Sequence, residues 1–89
     1  MARIEWAPSA SKHGIPTLDA AWAVAHYEVT ADLDVTGDEV TRLYIGHPHA
    51  QALPDDYLEV LASIRPQRIK IFHVMRLSDL YRHLLYTEE

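Results

Sequence analysis

Residues 57–76, YLEVLASIRPQRIKIFHVMR, hold two apolar-rich runs broken at Pro66-Gln67. This stretch predicts a β-hairpin of Tyr57 to Arg65 and Arg68 to Arg76. Turning about Pro66-Gln67 sets Arg65 opposite Arg68, Ile64 opposite Ile69, Ala62 opposite Ile71, Val60 opposite His73 and Leu58 opposite Met75. Most of these pairs are apolar and form an expected core face. The other face pairs Tyr57 with Arg76, Glu59 with Val74, Leu61 with Phe72 and Ser63 with Lys70. It is too polar for a core, so chemistry is expected there. Pro-Gln is not an Asn-Gly turn. A four-residue loop on the same centre keeps the pairing, whereas three or five residues would shift it.

On the N-terminal side, Val40 to Gly46 alternates as a strand, with Leu43 and Ile45 toward the core and Arg42 and Tyr44 turned away. Arg3 to Trp6 reads as a short strand. A short helix follows, with Pro8 near its start and Gly14 beyond its end in the left-handed region. Thr17 is the expected N-cap of a second helix reaching about Tyr27, with Leu18, Ala21, Trp22 and Ala25 as its buried stripe. Glu28 to Ala31 fits a short strand before a loop at Thr36-Gly37-Asp38, and His47 to Asp56 reads as a loop. On the C-terminal side, Ser78 caps a last helix to roughly Tyr86, with Leu77, Leu80, Leu84 and Leu85 inward and Arg82 and His83 outward. Trp6 and Trp22 are expected in the core. The expected class is α+β: a small antiparallel sheet of three to four strands, with N-terminal helices and a C-terminal helix packed on it.

Eighty-nine residues with 48% hydrophobic content suit one small folded domain. With no cysteine, neither a disulfide nor a thiolate metal site can add to its core. The first residues, Met1 to Trp6, lack the apolar stretch of a signal peptide, and no window approaches the ~18 apolar residues of a membrane span. A cytoplasmic protein without membrane contact is expected. Eight Lys and Arg against thirteen Asp and Glu give a net charge of −5, which disfavours nonspecific binding to a phosphate backbone. The distribution is uneven. Acids gather at Glu28 to Glu39, Asp55-Asp56 and Glu88-Glu89, while Arg65, Arg68, Lys70, Arg76 and Arg82 lie in the last third.

If the three long strands form one sheet covered on one side, Arg42, Tyr44, Tyr57, Glu59, Lys70 and Arg76 share its open face. Metal-free RNA cleavage needs a base for the 2′-hydroxyl proton, cations for the charge growing on phosphate, and an acid for the leaving oxygen. Glu59 can act as base or orient another group. Arg42, Lys70 and Arg76 can hold phosphate, and Tyr44 or Tyr57 can stack a base or donate a proton. Lys12-His13-Gly14 brings a cation and an imidazole to a helix end that can border the same cleft. His73, opposite Val60 in this register, reads as a buried, hydrogen-bonded histidine. His47-Pro48-His49 with Asp55 and Asp56 is a weak metal pattern, and no metal or cofactor is expected.

Ile4-Glu5-Trp6, Lys12-His13-Gly14-Ile15, Arg42-Leu43-Tyr44-Ile45-Gly46, Leu58-Glu59-Val60 and Ile69 to Arg76, in that order, resemble the BrnT-like toxins of the RelE superfamily. The resemblance spans about residues 3 to 82. It implies a compact sheet with helices, a ribonuclease that blocks translation by cutting RNA, free or ribosome-bound, and a cognate antitoxin, often a ribbon-helix-helix protein encoded beside it. It also implies Lys12 and His13 at the cleft edge, with Arg42 and the basic positions of the last strand as RNA contacts. The chain departs from the family in two ways. Phe72-His73-Val74-Met75 stands where the family has an Ile-Ser-Ala-Arg-like sequence, so Met75 holds the usual arginine position and Arg76 is the nearest cation. The family's geometry would let His73 replace the lost group. The chain is also acidic where these toxins are basic, which leaves a noncatalytic interaction module of the same fold as the competing expectation.

Overall fold

The computed structural model describes residues 3–86, so the acidic Glu88-Glu89 pair lies outside the described residues. β1 (Arg3–Trp6) leads into a 3-10 turn (Pro8–Ser11), then α1 (Thr17–Ala25), β2 (Val29–Thr36), β3 (Glu39–Gly46), β4 (Leu58–Arg65) and β5 (Arg68–Arg76). A single turn of helix, α2 (Asp79–Arg82), continues as a 3-10 turn (His83–Tyr86). The strands form one sheet in the order β1-β5-β4-β3-β2. The class is α+β, but the sheet has five strands and is mixed. β1 runs parallel to β5, pairing Arg3 with Arg68 and Trp6 with Ile71, a long-range pairing that no local pattern announces. β2 runs the full length of β3, with an irregularity between Asp32 and Asp34.

The hairpin turns where the sequence places it. Gln67 takes φ +62° after Pro66, giving the two-residue turn its left-handed second position without glycine. Gly14 is left-handed as expected, at φ +74°.

Both faces of the sheet are covered, not one. On the first, Ala20 and Ala23 of α1 and Ala10 of the first turn pack on Tyr44, Leu58, Val60, Ala62, Ile71 and Val74. On the second, Leu43, Ile45 and Leu77 form a core with Leu61, Tyr57, Tyr81, Leu84 and Leu85 around it. This second layer comes from the C-terminal segment, which turns inward Tyr81 in place of the expected Leu80, 68% exposed.

The buried stripe of α1 also differs from expectation. Leu18 is 82% exposed, Trp22 36%, while Ala20 and Ala23 are the buried residues. Trp6, at 36% exposure, is likewise outside the core. The cause is the close approach of helix and sheet. A Cβ on Gly46 would stand 2.6 Å from the Ala23 carbonyl oxygen, so only small side chains fit between α1 and β3, and the bulky ones rotate outward. Trp22 stacks instead on His26, with ring centroids 3.9 Å apart. Pro16, not Thr17, occupies the N-cap position. Gly46→Ala should therefore lower the unfolding free energy by about 1–3 kcal/mol, because the obstacle is backbone and cannot swing aside. Urea unfolding with an unchanged m-value checks this. No helix among the described residues is long and apolar enough to cross a membrane.

Candidate functional site

The candidate site is created by one extra residue in β5. From the turn outward the hairpin follows the expected register through Ala62 opposite Ile71, and then shifts so that Leu61 faces His73, Val60 faces Val74 and Leu58 faces Arg76. Phe72 is the residue left over, a β-bulge. It falls where β5 loses β1 as its neighbour. The Ala7 N–H donates to the Ile71 carbonyl at 2.9 Å, and the Ser9 hydroxyl donates to the Phe72 carbonyl at 2.6 Å. The first 3-10 turn thus supplies the bulge with a hydrogen-bond partner that a strand no longer provides.

Because side chains alternate, one extra residue reverses every later position. His73 leaves the expected core face and joins Glu59, while Arg76 moves to the α1 side of the sheet beside Leu58. His73 Nε2 lies 2.9 Å from Glu59 Oε2, and the other oxygen of Glu59 accepts the Ser78 N–H at 2.8 Å and the Ser78 hydroxyl at 2.6 Å. Glu59 is 2% exposed. Burying a carboxylate is tolerable here because both oxygens are engaged. In the neutral ring, Nε2–H donates to Glu59 and leaves Nδ1 as the acceptor. Ser78 sits at the N-cap of α2 but makes no side-chain cap bond, since its hydroxyl is committed to Glu59. The His13 ring meets the His73 ring edge-on, with centroids 5.7 Å apart and planes at 77°.

On the same face lies a groove of about 490 Å³ lined by Glu39, Thr41, Ser63, Arg65, Arg68, Lys70 and Phe72, among others. It occupies the end of the second face that the C-terminal segment leaves open. Two of its arginines are already paired, Arg65 with Glu39 at 2.9 Å and Arg68 with Glu5 at 3.4 Å. Lys70 and Lys12 make no ion pair among the described residues. A larger cavity of about 520 Å³ at the hairpin turn, between Arg3, Asp38, Arg65, Pro66, Gln67 and Arg68, contains no histidine.

A hydrogen bond from Ser63, and then the Arg65 guanidinium, hold the Glu39 carboxyl below its ordinary 4.5. A folded-state value below the unfolded one adds stability above the ordinary pKa, and that stability is lost as pH falls through the folded value. Glu39→Gln should thus lower the urea midpoint at pH 7. The difference should fade as pH falls below the ordinary 4.5 and through the lowered folded value, once the carboxyl is protonated in both states.

The other expected site residues are dispersed. Arg42 is on the α1 side, with Nε 2.6 Å from Asp32 Oδ1, and this bond raises the pKa of the guanidinium and lowers that of Asp32. Tyr44 is buried under α1 at 7% exposure and meets the Tyr27 ring. Arg76 pairs with Asp56 at 2.8 Å. Tyr57, just before β4 and two residues from Glu59 on the same face, is turned to other partners, stacked on His47 and donating to Glu28 at 3.0 Å. The single open face expected for Arg42, Tyr44, Tyr57, Glu59, Lys70 and Arg76 is therefore split in two, because alternation separates Arg42 and Tyr44 from Glu59 and the bulge separates Arg76 from Lys70. His47 is engaged at both ring nitrogens, by Asp56 O and Glu28, and no group of three His, Asp or Glu that could hold a metal occurs among the described residues. The role of Ser78 was not foreseen. A serine before a helix signals a cap, and only the fold brings it to Glu59.

Compared with family models, curated proteins and solved structures, the chain matches none.

Proposed function

We propose that this protein is the toxin of a type II toxin–antitoxin pair, a metal-independent endoribonuclease that cuts RNA to stop translation and is neutralised by a cognate antitoxin, with the ribbon-helix-helix type implied by the resemblance. The observation that carries the reading is the Phe72 bulge, which puts His73 on Glu59, beside His13 and next to the groove holding Lys70. In this scheme His73 Nδ1 takes the proton of a 2′-hydroxyl, and the oxygen attacks the adjacent phosphorus. The P–O5′ bond breaks and the leaving oxygen takes a proton from protonated His13, giving a 2′,3′-cyclic phosphate and a 5′-hydroxyl end. Lys70 and Lys12 hold the phosphate oxygens. Glu59 is a positioning residue that fixes the ring's tautomer and orientation.

A specific observation favours a second reading, a noncatalytic interaction module binding an antitoxin-like or other protein. Arg42, Arg65, Arg68, Arg76 and Arg82 all engage carboxylates of the chain itself, in a protein of net charge −5. Inducible expression in a bacterial host, with and without the adjacent gene, separates the two. The toxin reading expects growth arrest and new RNA 5′-hydroxyl ends, rescued by the neighbour, lost in His73→Gln and retained in Arg42→Ala. Normal growth with soluble protein and no new ends would reject it in favour of the module.

A further inference from the structure

A second cluster of titratable side chains lies at the other end of β4 from Ser63 and Lys70, around a cavity of about 350 Å³ between the start of β2, the loop before β4 and the last 3-10 turn. We propose that this cavity binds the arginine side chain of an extended, basic segment of a partner polypeptide. Its walls carry two carboxylates, Glu28 and Asp55, and two tyrosines, Tyr57 and Tyr86, over the apolar Val29 and Leu85. That volume is at the low end of ligand pockets, roughly 300–1,000 Å³.

The walls are preorganised. The Tyr57 hydroxyl donates to Glu28 Oε1 at 3.0 Å, and the opposite oxygen of Glu28 meets His47 Nε2 at 3.1 Å. His47 in turn stacks on the Tyr57 ring, with centroids 4.2 Å apart and planes at 21°. Burial, with Glu28 next, pushes the Tyr57 hydroxyl pKa up, which keeps it a donor that aligns the carboxylate. Asp55 makes no ion pair among the described residues. Carboxylates and aromatic faces together exclude an anion and suit a cation. A planar guanidinium suits them better than an ammonium, since it stacks on a tyrosine while its N–H groups fork to a carboxylate.

The polypeptide nature of the ligand follows from the neighbouring edge. Val29 is the first residue of β2, which ends the sheet and has no strand on its outer side among the described residues. A segment laid along that edge can deliver a side chain into the cavity. The edge is acidic, with Asp32 and Asp34 flanking Leu33. The irregularity at Leu33 puts Asp32 beside Arg42 on one face of the sheet and Asp34 beside Thr41 on the other, so the edge presents a carboxylate on each face to an incoming segment. A basic segment is the complement of that edge.

The test is titration of the isotopically labelled protein with the peptide Ac-Ala-Arg-Ala-NH₂, followed by amide chemical shifts. Saturating shifts are expected at Glu28, Val29, Tyr57 and Tyr86. Binding should be weaker by about tenfold for the uncharged citrulline peptide. Tyr86→Leu and Asp55→Asn, both at exposed positions, should each weaken it by about threefold to tenfold while the remaining spectrum stays native. Equal binding of the citrulline or lysine peptide, or shifts that never saturate and spread over every surface carboxylate, would overturn the proposal. So would dimerisation through β2 without peptide, which would assign the edge to a second copy.

Discussion

His73→Gln is expected to reduce RNA cleavage by about 10²–10⁴-fold, the contribution of a positioned proton carrier, while leaving the urea midpoint nearly unchanged. Glutamine retains an N–H that can reach Glu59 but has no basic nitrogen at the place of Nδ1. His13→Gln should also lower the rate, and the double variant should be far less impaired than the product of the two losses, since groups that act as a unit are not additive. Mapping 5′-hydroxyl ends with purified protein and a long RNA measures all three. Full activity in His73→Gln would remove the bulge-centred site from consideration and return attention to Lys70 and the open groove. Arg42→Ala is the informative contrast. Its guanidinium is on the opposite side of the sheet and bound to Asp32, so cleavage should persist although the resemblance places Arg42 among the RNA contacts.

The strand pairs nearest the hairpin turn were legible in the sequence because they depend on local information: apolar alternation and a two-residue turn. Beyond Ala62 the register depends on Ala7 and Ser9, more than sixty positions away in the chain. A period-two pattern carries no mark of such a partner. That is why His73 reads as a core residue when counted by twos and stands beside Glu59 in the fold. The inverted face of α1 has a similar origin. Leu18 and Trp22 make the stronger apolar stripe, but the distance allowed by Gly46 selects Ala20 and Ala23, and that distance is a tertiary quantity. His13 was legible as a candidate from its Lys-His-Gly setting, whereas its contact with His73 needed the parallel β1–β5 pairing to bring the first turn against β5.

Glu59→Ala should have the largest effect on stability, about 3–5 kcal/mol, because it strips three hydrogen-bond donors of their buried acceptor at roughly 1–3 kcal/mol each. Small domains have only about 5–15 kcal/mol in total. Three donors lose their acceptor at once: His73 Nε2–H, the Ser78 N–H and the Ser78 hydroxyl. The Ser78 N–H also marks the junction of β5 with the segment that covers the second core, so its release loosens Leu77 and the packing of Tyr81, Leu84 and Leu85. Ser78→Ala removes one of those donors and should cost only about 1–2 kcal/mol. A double-mutant cycle between the two positions, measured by urea unfolding, should give a coupling of about 1 kcal/mol or more. Additivity instead would mean that Ser78 is held by the chain and not by the carboxylate. This dual role sets how the functional variants must be read. Cleavage lost in Glu59→Ala implicates the His73 orienter only at a temperature where the variant is still folded. The comparison with His73→Gln, which keeps the junction intact, separates the loss of a proton carrier from the loss of the fold.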